Sequence, residues 1–166
     1  MANIGIFFGS STGTTEDVAG RVADRLNVSQ SDVHNVAGAD AAAADAYDVL
    51  ILGSSTWGDG ELQDDWIDFI EKLKSHVSGK KVGFFGCGDG DSYDTTFCDA
   101  VGLLYDELQG TGATFVGAYA PEGYSYTDSK AERDGKLVGL CLDEVNYPEE
   151  SDARMDKWIA ALDAAI

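Results

Sequence analysis

What the chain has little of narrows its role first. Basic residues are scarce: 11 Lys and Arg stand against 30 Asp and Glu, a formal charge of −19. A nucleic-acid binder needs a basic face to neutralise phosphates, and an anionic membrane attracts the same kind of surface, so the charge argues against both. The three cysteines, Cys87, Cys98 and Cys141, are an odd count without a CxxC pair. That argues against a disulfide framework, and they are expected as buried or half-buried thiols. The two histidines, His34 and His76, lie too far apart in sequence to suggest a zinc site. No apolar run approaches the ~18 residues of a membrane span. The start, Met1-Ala2-Asn3-Ile4-Gly5-Ile6-Phe7-Phe8, lacks the basic opening of a signal peptide and reads as a strand. A cytoplasmic location is the expectation. The acidity suits a basic protein partner, through opposed fields that speed encounter, and it equally suits solubility in a salty cytoplasm.

What is present fits one domain over 1–166, with 44% hydrophobic residues to supply a core without staples. Short apolar runs alternate with helical patterns. Ile4 to Phe8 is followed by a helix with Val18, Ala19, Val22, Ala23 and Leu26 at 3–4 spacing. Val33 to Val36 reads as a short strand and Ala41 to Ala46 as a short helix. Val49 to Gly53 is continuously apolar, as in a strand covered on both faces. Trp66, Ile67, Phe69, Ile70 and Leu73 mark a helix, Lys81 to Gly86 a strand, and Phe97, Val101, Leu104, Tyr105 and Leu108 another helix. Thr114 to Gly117 is the fifth strand, and Ala153 to Ile166 the closing helix. This alternation predicts a doubly wound α/β fold: a five-stranded parallel sheet in the order 2-1-3-4-5 with helices on both faces. Ligands of such sheets bind beyond the carboxyl ends of the strands, where the order reverses. The chemistry should therefore sit in the turns after strands one, three and four.

After strand one comes Gly9-Ser10-Ser11-Thr12-Gly13-Thr14-Thr15, running straight into a helix. Glycines for close approach, hydroxyl donors and free N–H groups at a helix start suit a phosphate. The turn has no GxxxxGK(S/T) lysine and is not GxGxxG, which disfavours a nucleotide triphosphate or a dinucleotide. One terminal phosphate monoester fits better. After strand three, Ser55-Thr56-Trp57-Gly58-Asp59-Gly60 offers a flat indole for a planar ring, with glycines that let the Gly58–Asp59 peptide turn over. After strand four, Cys87-Gly88-Asp89 supplies backbone for a pyrimidine edge and Tyr93 a second ring face. Asp89 and Asp91 fall short of an EF-hand pattern. A phosphate loop with two aromatics and glycine turns describes a pocket for flavin mononucleotide (FMN).

On these residues the chain resembles the flavodoxins. GSSTGTT (9–15), STWGDGELQDDW (55–66), GCGDGDSY (86–93) and GYSYTDSKAERDGKLVGLCLDEVN (123–146) carry the resemblance over nearly the whole length. The last stretch is similar to the insertion that interrupts the fifth strand in the long-chain subclass, with Val138 to Leu142 resuming it. The insertion, 120–143, is expected as a surface loop with no cofactor role; the other reading is that it helps dock partners. The resemblance implies a monomeric, low-potential one-electron carrier holding FMN without a covalent bond and catalysing no substrate chemistry. It places Ser10 to Thr15 on the phosphate, Thr56 towards the phosphate and ribityl end, Trp57 on the inner ring face and Tyr93 on the outer. Backbone at Gly58 to Gly60 and at Cys87 to Asp89 would meet the ring edges. Two positions depart from the pattern. Thr14 stands where many members carry a basic residue, and Val145 stands at an acid position, with Asn146 as the substitute ribityl contact. Implied partners are redox proteins such as ferredoxin–NADP reductase, pyruvate oxidoreductase or nitrogenase reductase. The alternative on the same fold is an FMN-dependent NAD(P)H:quinone reductase, for which no second nucleotide motif is found. A phospho-receiver is argued against by Gly53-Ser54 where an acceptor aspartate would stand, and a low-molecular-weight phosphatase by the lack of Cys-x5-Arg.

Overall fold

The computed structural model describes residues 3–10, 13–57 and 60–166. Its main sheet begins with β1 (Ile4–Gly9), which pairs in parallel with β2 (Val33–Asn35) on one side and β3 (Val49–Trp57) on the other. Beyond β3 lies β5 (Lys81–Cys87), again parallel. A short β4 (Glu61–Leu62) folds back antiparallel on the end of β3. The fifth sheet position is filled in two pieces. β6 (Thr114–Phe115) pairs with Lys81 and Val82, and β9 (Leu140–Leu142) pairs with Phe85 to Cys87. This is the predicted order 2-1-3-4-5, with the last strand interrupted where the sequence indicated. Between the two pieces, β7 (Glu132–Arg133) and β8 (Lys136–Leu137) form a small hairpin that the sequence pattern did not reveal.

Helices cover both faces. α1 (Thr14–Leu26) buries Val18, Ala19, Val22 and Ala23 and packs beside α4 (Ser151–Asp163). α2 (Asp64–Leu73) buries Trp66, Phe69, Ile70 and Leu73 and packs beside α3 (Asp99–Glu107). Covered on both sides, β3 is buried from Val49 through Ser54, which explains its unbroken apolar run. It continues to Trp57, four residues beyond the expected end, because the β4 turn gives its last residues a partner. The segment 41–46 is a 3₁₀ helix rather than an α-helix. Its buried residues, Ala41 and Ala44, are three apart, the spacing that a three-residue turn stacks on one face.

Two features fix the frame of the site. Trp66 is wholly buried, and its indole Nε1 donates to the Gly53 carbonyl at 2.7 Å, tying α2 to β3 near the sheet's upper end. At the opposite edge, the insertion satisfies the free side of β9. The Cys141 N–H donates to the Tyr119 hydroxyl at 3.2 Å, and the Tyr124 hydroxyl donates to the Cys141 carbonyl at 2.6 Å. The two phenols, 2.5 Å apart, close a ring in which Tyr119 donates to Tyr124. Side chains thus stand in for an absent neighbouring strand. Among the described residues, no helix is long and apolar enough to cross a membrane, and no group of His, Cys, Asp and Glu could hold a metal ion.

Candidate functional site

The sheet register brings the site together. Gly9 pairs with Ser54, Ser54 with Gly86, and Gly86 with Cys141, so four strands share one row near the same end of the sheet. β1 ends on that row, β5 and β9 run one residue past it and β3 runs to Trp57, and a loop follows each at that end. Those loops enclose a cavity of about 220 Å³. Of the residues singled out in sequence, Thr14, Ser55, Thr56, Trp57, Cys87, Gly88, Asp89 and Tyr93 line it. Ser10, Gly13, Thr15, Gly60 and Asn146 lie around it without lining it, while Ser11, Thr12, Gly58 and Asp59 fall outside the described residues.

The first loop leaves donors free. Ser10 Oγ accepts the Gly13 N–H at 3.0 Å, which shapes the turn. Gly13, at φ 92°, is the N-cap of α1, and among the described residues no side chain caps the helix. Its first-turn N–H groups and positive dipole end are therefore available to an anion. Thr15 is 1% exposed, yet its hydroxyl makes no hydrogen bond. The Cys87 thiol lies within reach of it, a weak partner. A buried hydroxyl without a partner costs about 1–3 kcal/mol. Beside an uncapped helix start, it is what an anionic group with spare acceptor lone pairs would relieve.

The second loop is a tight reversal. The Gly60 N–H donates to the Trp57 carbonyl at 3.1 Å, and Gly60 sits at φ +92°, where a Cβ would lie 2.5 Å from Asp99 Oδ2. Asp99 is buried, which pushes its carboxyl up from the ordinary range, while its other oxygen accepts the Lys130 N–H at 2.7 Å. Thr56 Oγ1 accepts the Ala100 N–H at 3.0 Å, so the hydroxyl that lines the cavity also secures the start of α3. Trp57 is 39% exposed, and its Nε1 donates to Ser55 Oγ at 2.7 Å, which fixes the ring plane.

The third loop is closed on itself. Asp89 Oδ1 accepts the Ser92 N–H at 2.9 Å, the Asp91 N–H at 3.2 Å and the Asn146 amide at 2.7 Å. The Ser92 and Asn146 bonds hold its carboxyl below the ordinary range. The Asp89 carbonyl accepts the Tyr93 N–H at 2.9 Å, which seats Tyr93 at the mouth, 53% exposed. Asp143, buried just beyond β9, accepts from the Gly90, Val145 and Asn146 backbones and from the Asn146 amide at 2.9 to 3.2 Å. The Asn146 amide is thereby tied between Asp143 and Asp89. Also lining it are Thr96 and Glu144, which the sequence reading did not select, and Val145, which it named only as a departure from an acid position. The last two follow β9 directly, so the strand-end rule applied to the resumed fifth strand would have found them. Burial, and then the Glu144 carboxylate, push the Cys87 thiol up to about 12, so it is protonated at neutral pH and no nucleophile.

Sheet order and a cavity at the switch point define the flavodoxin-like class of doubly wound domains. Known proteins agree. The Flavodoxin family model matches residues 6–158. Flavodoxin 1 of Azotobacter vinelandii is 42% identical over 167 residues, covering 98% of this chain and 96% of that protein. Flavodoxin 1 of Escherichia coli K12 is 43% identical over 161 residues, covering 96% and 92%. The crystal structure of Fusobacterium nucleatum flavodoxin bound to FMN superimposes with a TM-score of 0.88 at 30% identity, covering 99% of this chain and 98% of that one. The chain belongs to the flavodoxin family, whose members are electron-transfer proteins.

Proposed function

We propose that this protein is a low-potential carrier of single electrons on a non-covalently bound FMN, of the long-chain subclass. One observation carries the reading: an uncapped helix start with an unpartnered buried hydroxyl opens beside a cavity walled by two exposed aromatics, Trp57 and Tyr93. FMN in the Fusobacterium neighbour supports it, and the split fifth strand supports the subclass. In this reading Ser10 to Thr15 hold the phosphate, and Thr56 lies towards the ribityl end. Trp57 and Tyr93 flank the ring. Backbone at Gly58 to Gly60 and Cys87 to Asp89 meets its edges, and Asn146 acts by holding Asp89. When bound, FMN supplies the one-electron chemistry; the chain supplies orientation and field. Asp89 and a formal charge of −19 oppose added negative charge at the cavity, which keeps the potential low. We further propose a monomer acting in the cytoplasm between redox proteins with basic docking faces, the class of ferredoxin–NADP reductase, pyruvate oxidoreductase or nitrogenase reductase.

The test is an absorption spectrum of the purified protein reduced stepwise under argon. A yellow protein that takes up two electrons in separate steps, and does not oxidise NADH without a partner reductase, is expected. A colourless, folded protein that declines excess FMN overturns the reading, and partner-free NADH oxidation would favour a quinone reductase instead.

A further inference from the structure

Among the described residues, no lysine, arginine or histidine lines the cavity, and the charged residues that do are Asp89 and Glu144. Asp89 is occupied within its own loop. Glu144 is different: it lines the cavity together with Thr14, the first residue of α1. Its side chain is only 16% exposed and is gripped from two helices. Arg21 of α1 donates to Glu144 Oε1, and the Ser151 hydroxyl, at the start of α4, donates to Oε2 at 2.6 Å. Arg21 lies seven residues, two helical turns, after Thr14 and so on the same face of α1. Its other contacts are Asp152 at 3.1 Å and Asp17 at 3.7 Å, both largely exposed. The Glu144 field reaches the cavity wall, where it raises the Cys87 thiol, and the Arg21 field opposes it there.

We propose that Arg21 is a positioning residue that sets affinity for the phosphorylated flavin: it cancels the Glu144 charge, so that this wall can be formed by an acidic side chain without repelling a phosphate dianion at the start of α1. The inference rests on the FMN reading above. A flavin phosphate brings about −1.5 to −2 charges at pH 7, into a protein already at −19. With Arg21 removed, Glu144 becomes an unpaired, poorly hydrated carboxylate facing that dianion. The pair also pins the turn 143–146, so a mechanical role must be separated from an electrostatic one.

The experiment titrates the apoprotein with FMN and, in parallel, with riboflavin, which lacks the phosphate, at low ionic strength. The proteins are the parent, Arg21→Gln, Arg21→Lys, Glu144→Gln and the Arg21→Gln/Glu144→Gln double variant, each checked by thermal melting. Arg21→Gln is expected to lose about tenfold in FMN affinity, a deficit that shrinks as salt is added. Its riboflavin affinity should stay near the parent's. Arg21→Lys should remain within about twofold, and the double variant should return to within about threefold of the parent, because the repelling charge has gone too. A double variant as weak as Arg21→Gln, or an equal loss for riboflavin, overturns the proposal in favour of a purely mechanical latch. If Arg21→Gln does not fold, Glu144→Gln alone decides: FMN binding at least as tight as the parent's is expected, and weakened binding overturns the proposal. A parent that binds no FMN overturns the flavin reading itself before any variant is compared.

Discussion

The first and third loops of the cavity are built in opposite ways. The first, from Ser10 to Thr15, leaves polar groups unmatched: among the described residues α1 has no side-chain cap, and the Thr15 hydroxyl is buried without a hydrogen bond. The third, from Cys87 to Tyr93, leaves little to satisfy: Asp143 accepts the Gly90 N–H, and Asp89 accepts the Asp91 and Ser92 N–H groups together with the Asn146 amide. The difference separates two tasks. Unmatched donors are a cost to the empty protein that a bound anion removes, so they bias the first loop towards occupancy. A saturated loop gains nothing from occupancy and serves as a rigid edge against which a ring can be placed.

Breaking the saturated loop should have the largest effect. Asp143→Ala strands the Gly90, Val145 and Asn146 N–H groups and is expected to cost about 3–5 kcal/mol in urea unfolding of the apoprotein; a loss below about 1 kcal/mol would mean the network is not what holds that end. Next comes the reversal between the two loops. Gly60→Ala forces a Cβ at φ +92° and against Asp99 Oδ2, for an expected loss of about 1–2 kcal/mol, while a purely conformational requirement would leave Gly60→Asn less damaged. Thr15→Val then sharpens the contrast, since its two effects should have opposite signs. Deleting the unpartnered hydroxyl at nearly constant shape should stabilise the apoprotein by up to about 1 kcal/mol. The same change should weaken FMN about tenfold, or 1.4 kcal/mol. Denaturant midpoints and fluorescence titration read the two separately, and a variant that loses stability without losing affinity would place Thr15 in the fold alone.

The sheet was legible in the sequence because its signals are local: apolar runs such as Val49 to Leu52 and helical stripes such as Val18 to Ala23 fix strand order once right-handed crossovers are required. The loops after strands one, three and four followed from the strand-end rule. What escaped the reading depends on contacts far apart in sequence. Glu144 follows the resumed strand β9 and was within reach of the strand-end rule, but its pairing with Arg21, 123 positions earlier, has no local signal. The bond from the Asn146 amide to Asp89, 57 positions away, likewise has no signal in sequence. The β7–β8 hairpin escaped because two-residue strands carry no periodicity.

The smallest expected effect concerns pH, and it too separates the loops. The Asp89 carboxyl is held below its ordinary 3.8 by the Ser92 N–H and the Asn146 amide. Its folded value is depressed, so the stability it contributes is fully present above the unfolded value and is lost as pH falls through the folded one. Asn146→Ala removes one of the two main donors, so the Asp89 titration followed by carbon-detected NMR should move up towards the ordinary value without reaching it. The advantage in urea midpoint of the parent over the variant should accordingly be present at neutral pH and narrow below about pH 4. Thr15 does not titrate in this range, so the stability difference between Thr15→Val and the parent should stay level over the same acid range. A midpoint gap for Asn146→Ala that is equally flat with pH would mean that Asn146 supports the loop through Asp143 alone, and that Asp89 is held by its own turn.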